Sequence, residues 1–368
     1  MRVVIAGGGT AGHVFPALAL AKELTERHGA DVAFVGTAAG LEARLVPAAG
    51  FPFTAVEARP FVRKVSLRAV TAPLWALRSV SRCRPLVARA DVVVGMGGYV
   101  SVPASLAAIR SRRPLVLHEQ NAVPGLANRT LSRVARTVAL SFGETARLLP
   151  RRTDTEVTGN PVREEIVAVR SDRAAFAEEA RSTLGLEAGR ATVVAFGGSQ
   201  GALHLNRAVA GSLGLLRDRR DLQVLLLTGP AHLQEAERRL PREGALLVRA
   251  LPFLDRMELA YAVADLVVSR AGATTVAEVA VCGVPSILVP YPYATGRHQE
   301  ANARSLQRAG AAMVVMDDAL TGEVLASRVA GLLDDRARLG AMAERATAWA
   351  RPDAAQALAK VVAEAAEG

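Results

Sequence analysis

Aromatic residues are scarce in this 368-residue chain, at 4%. None forms the stacking signature by which RNA binders hold unpaired bases, which argues against a nucleic-acid partner. The two cysteines, Cys83 and Cys282, are far apart and lie in no C-x-x-C pair. That excludes a disulfide framework and a cysteine zinc site, and it fits a reducing cytosol. Long apolar runs are missing as well. The uncharged opening after Arg2 is broken by Gly7, Gly8, Gly9, Thr10, Gly12 and His13, so it is not expected to be a signal peptide. A second uncharged run, Val92 to Ile109, contains Gly95, Gly97, Gly98 and Pro103 and makes a poor membrane span. A chain with no transmembrane helix is expected. Acidic residues are outnumbered, 35 against 45 basic, giving a net charge of +10. Nearly all the basic residues are arginine. The excess suits a membrane surface or a phosphorylated substrate; genome composition is the bland alternative.

What is present is an alternation of short apolar runs and longer helical patterns. "VVIAG" (3–7), "DVAFVG" (31–36), "DVVVGMG" (91–97), "PLVLHEQ" (114–120) and "TVALSF" (137–142) read as buried strands with helices between them. The pattern restarts near residue 191 with "ATVVAFGG", "LQVLLLTG", "ALLVRALPF", "ADLVVSRAG", "VPSILVPY" and "AAMVVM". Two α/β domains with parallel, helix-covered sheets are the natural parse. The seam falls at "EVTGNPVREE" (156–165), where Gly159, Asn160 and Pro161 interrupt regular structure.

Three glycine-rich turns carry the chemical signal. "GGGTAGH" (7–13), "GGSQGA" (197–202) and "SRAGATTVAE" (269–278) each follow a strand and open a helix. Glycines there let the backbone approach an anion, and the helix start offers N–H groups and a positive dipole end. The first turn also satisfies G-x-G-x-x-G. A dinucleotide site needs an acidic residue ending the second strand, but that strand ends in Gly36 and Thr37, with Asp31 at its wrong end. A nicotinamide reading is therefore disfavoured. Glu278 lies one turn into its helix, where a carboxylate can accept both hydroxyls of a ribose; capping is its simpler role.

These segments, with "GMGGYVSVPASLAA", "HEQNAVPGLANR", "GNPVR", "FLDRMELAYAVADLVV" and "HQEANA", run in order from residue 7 to 303. Together they resemble the MurG-type transferases of peptidoglycan synthesis. The resemblance implies a GT-B architecture, two Rossmann-like parallel-sheet domains facing a cleft. Residues 1–161 would form the acceptor and membrane-facing domain, with 346–368 packing back on it, and 162–345 the UDP-GlcNAc domain. The implied reaction is inverting transfer of GlcNAc from UDP-GlcNAc to undecaprenyl-diphosphate-linked MurNAc-pentapeptide, with no cofactor. Carried over by motif, Thr10, Ala11 and Gly12 belong to the sugar-nucleotide contacts, and Asn121 meets the GlcNAc. Arg163 and Ser199 approach the diphosphate, and Leu254 places its backbone beside the uracil. Ala273, Thr274, Thr275, Val276, Ala277 and Glu278 hold phosphate and ribose, and Gln299 contacts sugar hydroxyls. Ala11 departs from the family's usual middle glycine, which is tolerable if its φ is negative. The stretch Thr295 to His298 departs too.

Inverting transfer needs a base for the acceptor hydroxyl and a means of stabilising the departing diphosphate. No D-x-D pair occurs, so no metal site is expected; helix starts near Ser199 and Thr274, with Arg163, are the alternative. His13 is the first candidate base and Glu119 of "HEQN" the second, each with a structural role as its rival. His204 and His298 read as supporting residues. Residues 59–84 contain seven basic residues and no acid, with Phe61, Val65, Leu67, Val70, Leu74, Trp75, Leu77 and Val80 as apolar anchors. This segment could lie on an anionic membrane surface, making the protein peripheral on the cytoplasmic leaflet; a solvated face packed on the core is the other reading. Competing functions are another UDP-GlcNAc enzyme of GT-B fold, such as a glycolipid transferase or an epimerase, and a silent sugar-nucleotide-binding protein.

Overall fold

The structure is a computed structural model and describes residues 1–58, 78–198, 201–241 and 243–368. The chain divides into two compact units, Met1–Arg163 with Arg351–Gly368, and Glu164–Ala350.

The first unit is built on seven strands: β1 (Arg2–Ala6), β2 (Asp31–Gly36), β3 (Phe53–Ala55), β4 (Val92–Gly95), β5 (Leu115–Glu119), β6 (Thr137–Leu140) and β7 (Thr155–Val157). Their order is β3-β2-β1-β4-β5-β6-β7, with every pair parallel. The valine runs that make β1 and β4 are buried on both faces, as parallel strands between helix layers must be. Successive side chains alternate between faces. Val3, Ile5, Val92 and Val94 pack with the carboxy-terminal helix Ala354–Glu367 through Leu358, Val361 and Val362. Val4, Ala6, Val93 and Leu117 face the other way, onto Ala104, Ala107 and Ala108 of helix Gly98–Arg110.

The second unit holds β8 (Ala191–Phe196), β9 (Leu222–Leu227), β10 (Leu247–Leu251), β11 (Leu266–Ser269), β12 (Ser286–Leu288) and β13 (Ala312–Val314), all parallel in the order β10-β9-β8-β11-β12-β13. In each sheet the strand order reverses once, between β1 and β4 and between β8 and β11. Ligands of open parallel sheets bind at the carboxyl ends of the strands at such a reversal. The three glycine turns sit at these two places.

Two features differ from the sequence reading. Strands β3 and β7 carry no long apolar run, because each is three residues long and lies at a sheet edge, partly exposed. Residues 346–350 complete a helix and its cap in the second unit, and the return to the first begins at Arg351.

Candidate functional site

In the first unit the loop after β1 turns at Gly9, whose φ of +82° suits glycine. Helix Ala11–His28 then begins. Ala11, in the place of a glycine, opens that helix without a positive φ, so its methyl is accommodated. Gly12 occupies the second helical position, where N–H groups precede the first intrahelical bond. Thr10 is exposed, and its Oγ1 lies 2.9 Å from His13 Nδ1. The His13 ring stands over Gly98, at the start of the helix after β4; Gly98 has φ +69°, which suits glycine, and a Cβ there would make ordinary contact with the imidazole. In the tautomer that donates Nδ1–H to Thr10 Oγ1, His13 Nε2 carries the lone pair a base needs.

The "HEQN" segment ends β5 beneath this loop. His118 is fully buried and neutral: burial, with a smaller contribution from His13, pushes its pKa down to about 4. Its Nδ1 accepts from Gln120 Nε2 at 3.1 Å, and its Nε2–H donates to the Gly159 carbonyl at 3.1 Å. Gln120 also donates to the Met96 carbonyl at 2.7 Å, tying β5 to the loop after β4. Glu119 is 2% exposed. Its Oε1 accepts from the Asn121 N–H at 3.0 Å, and its Oε2 from the Gly125 N–H at 3.0 Å and Asn128 Nδ2 at 2.9 Å. Burial raises its pKa against these bonds. A carboxylate this enclosed organises a loop; the geometry favours that role for Glu119 over the base expected of it. Asn121, half-buried, sits on the loop Glu119 holds, with its Nδ2 3.4 Å from Glu119 Oε1. Arg163 stacks on the Phe15 ring, 4.4 Å from its centroid, which places its cation against the helix that carries His13.

In the second unit helix Ala273–Val281 starts at Gly272 after β11. The N–H groups of Ala273, Thr274 and Thr275 precede its first intrahelical bond, and the two threonines are half-buried in its first turn. The expected contact stretch is shorter than the sequence suggested. The Val276 N–H bonds to the Gly272 carbonyl at 2.9 Å and its side chain is fully buried, while Ala277 is turned inward at 9% exposure. Neither has a group to offer a ligand. Glu278 is 6% exposed, and its Oε2 accepts from Tyr261 Oη at 2.8 Å. Tyr261 is itself fully buried, edge-on to Phe196 at the end of β8. Leu254 is half-buried in the loop after β10. Gln299 Oε1 accepts from the Tyr291 N–H at 2.9 Å, so the group it can turn to a sugar is its amide donor. The departure at Thr295 to His298 is a tight turn in which Arg297 takes φ +53°. Ser199 lies outside the described residues, as do the anchors Phe61 to Leu77. Val80, counted among those anchors, is a core residue at 8% exposure and cannot serve a membrane.

The pairings behind these groups were not legible in the sequence, although His204 read as a supporting residue and Tyr261 lies within a motif segment. Besides Tyr261, Arg270 is buried at the end of β11, with Nη1 2.5 Å from Asp317 Oδ1; His204 Nδ1 lies 3.1 Å from Asp317 Oδ2. Burial opposes ionisation of Asp317, but Arg270 and His204 outweigh it and hold the carboxyl below its ordinary range. Asn302 Nδ2 holds the Ala271 carbonyl at 3.1 Å. These groups brace the loop ends around the second reversal. The "FLDRMELAYAVADLVV", "SRAG" and "HQEANA" motifs flagged their segments; the pairings are long-range.

Comparison with known families adds to this geometry. Residues 3–140 match the glycosyltransferase family 28 N-terminal domain, and residues 192–358 match its C-terminal domain. The chain belongs to glycosyltransferase family 28. Within this family it is 42% identical over 377 residues to the UDP-N-acetylglucosamine--N-acetylmuramyl-(pentapeptide) pyrophosphoryl-undecaprenol N-acetylglucosamine transferase of Halothermothrix orenii, covering all of both chains. It is 43% identical to the enzyme of the same name from Acidothermus cellulolyticus, covering 100% of this chain and 98% of the relative. The crystal structure of MurG from Acinetobacter baumannii superposes with a TM-score of 0.79 at 32% identity, covering 99% of each chain. The family 28 fold is therefore GT-B, two Rossmann-like α/β domains, and the MurG-type resemblance spans the whole chain.

Proposed function

We propose that this protein is the inverting transferase that moves GlcNAc from UDP-GlcNAc to the C4 hydroxyl of MurNAc on undecaprenyl-diphosphate-linked MurNAc-pentapeptide. Full-length identity of about 42% to enzymes bearing that name carries the reading. The arrangement of each unit supports it.

In this reading the second unit binds the donor. Glu278, backed by Tyr261, accepts from the ribose hydroxyls. The amides of Ala273 to Thr275 and the hydroxyls of Thr274 and Thr275 meet the diphosphate, where a helix start favours negative charge. The Leu254 backbone meets the uracil, and the Gln299 amide donates to a sugar hydroxyl. From the first unit, Thr10, Ala11 and Gly12 meet the sugar end of the donor, Asn121 meets its GlcNAc, and His13 faces the acceptor hydroxyl. His13 takes the proton from the C4 hydroxyl as its oxygen attacks the anomeric carbon. The bond from that carbon to the diphosphate oxygen breaks, and UDP departs with the electron pair. Helix-start amides and the Arg163 cation stabilise the charge that develops on the leaving group, which is where electrostatic catalysis counts most. The basic segment 59–84, of which Arg78, Arg82 and Arg84 are described and exposed, brings the protein to an anionic cytoplasmic leaflet as a peripheral protein.

The test is UDP release and transfer of labelled GlcNAc, with and without a short-chain lipid acceptor. Label in a disaccharide lipid, with UDP release dependent on acceptor, is the expected result. A UDP-sugar epimer formed without acceptor would instead identify an epimerase, and UDP-GlcNAc binding with neither product a silent binder.

A further inference from the structure

Glu42 opens the short helix after β2 and is 1% exposed. Its Oε2 accepts from the Gly9 N–H at 2.9 Å, inside the first glycine turn. Its Oε1 accepts from the Thr37 N–H at 2.9 Å and from Thr37 Oγ1 at 2.6 Å. One buried carboxylate thus bonds the loop after β1 to the loop after β2. The surrounding glycines are shaped by it. A Cβ at Gly8, Gly36 or Gly40 would overlap Glu42 side-chain atoms. None of these three has positive φ, so each is small for space, not for conformation. Gly8, within the first glycine turn, therefore answers to an internal carboxylate and not to a ligand. The same carboxylate fills the end of β2, where a dinucleotide site would keep its acid open to a ribose. Burial opposes ionisation of Glu42, yet the Thr37 hydroxyl and the N–H groups of Gly9 and Thr37 outweigh it and hold the carboxyl below its ordinary range.

We propose that Glu42 is a positioning residue of the acceptor site, setting the first glycine turn so that Thr10, the helix start at Ala11 and His13 are ordered before the lipid-linked sugar arrives. The proposal rests on the transferase reading for the identity of that ligand. Its physical basis is preorganisation: a loop fixed in advance does not have to be ordered during binding. Glu42 touches no substrate in this account. It also commits the Gly9 N–H, which leaves anion recognition to the residues that follow.

The test is Glu42→Gln in the full-length protein, with Glu42→Ala beside it. The amide keeps the shape of the side chain but turns an NH2 group toward backbone donors. KM for the lipid acceptor should rise about tenfold in Glu42→Gln, the effect of losing a charge-assisted bond, and further in Glu42→Ala. The affinity for UDP, held by the second unit, should stay within about twofold. Amide hydrogen exchange should quicken in residues 7–13 and 36–40 and stay unchanged in residues 191–330. Unchanged acceptor KM, or unchanged exchange in the glycine turn, would overturn the proposal. So would a joint loss of UDP affinity and acceptor parameters with a lowered Tm, which marks a general structural role. If the unsubstituted protein transfers no GlcNAc, the transferase reading has failed, and the exchange measurement still decides whether Glu42 sets the loop.

Discussion

Removing the Glu278 carboxylate separates its two possible roles, because Tyr261 stands behind it. Glu278→Ala removes the acceptor proposed for two ribose hydroxyls. A hydrogen bond to a charged group contributes about 1.5–3 kcal/mol, so UDP should bind roughly 10- to 100-fold more weakly. The substitution also strips the Tyr261 hydroxyl of its Glu278 partner at a buried position. Taking the lost bond as about 2 kcal/mol, Tm for a unit of this size should fall by roughly 4–8 °C. Tyr261→Phe breaks the same internal bond but leaves the carboxylate, so it should lower Tm while changing UDP affinity by no more than about threefold. Calorimetric titration with UDP and scanning calorimetry on both variants and their double mutant give the complete cycle. The reasoning is refuted if Glu278→Ala loses stability but binds UDP as the unsubstituted protein does. Glu278 would then be an acceptor for Tyr261 and nothing more.

Two further outcomes follow from the first unit. His13→Ala should lower kcat by about 10²- to 10⁴-fold while UDP binding is retained; a kcat near that of the unsubstituted protein would remove His13 as the base. His118 binds its proton more weakly when folded, with a pKa of about 4 against an ordinary 6.5. Its contribution to stability is therefore complete above about pH 6.5 and is lost as pH falls toward 4, with a slope of about 1.4 kcal/mol per pH unit inside that window. Scanning calorimetry from pH 7 to 5 should show Tm falling, and His118→Asn should flatten the slope; an unchanged slope would show that other groups carry the acid sensitivity.

The parallel sheets were legible because their central strands are buried on both faces and so read as unbroken apolar runs, such as "VVIA" and "DVVVG". β3 and β7 were not, since short edge strands need little apolar sequence. The glycine turns were legible as places, because a turn between strand and helix has local chemistry. What holds those turns was hidden. Glu42 reaches Gly9 across 33 positions, and Tyr261 reaches Glu278 across 17, through folds in the chain that no spacing announces. The direction of each helical residue was also hidden: Val276 lies inside a motif stretch, yet its side chain belongs to the core. Glu119 illustrates the same limit. Its place in "HEQN" suggested chemistry, while its surroundings give it hydrogen bonds on both oxygens.

The most direct measurement is a crystal structure of the protein with UDP. The account predicts ribose hydroxyls within hydrogen-bond distance of Glu278 and the diphosphate at the start of helix Ala273–Val281. UDP seated instead on the Gly7 to His13 turn, with Glu278 bonded only to Tyr261, would contradict it.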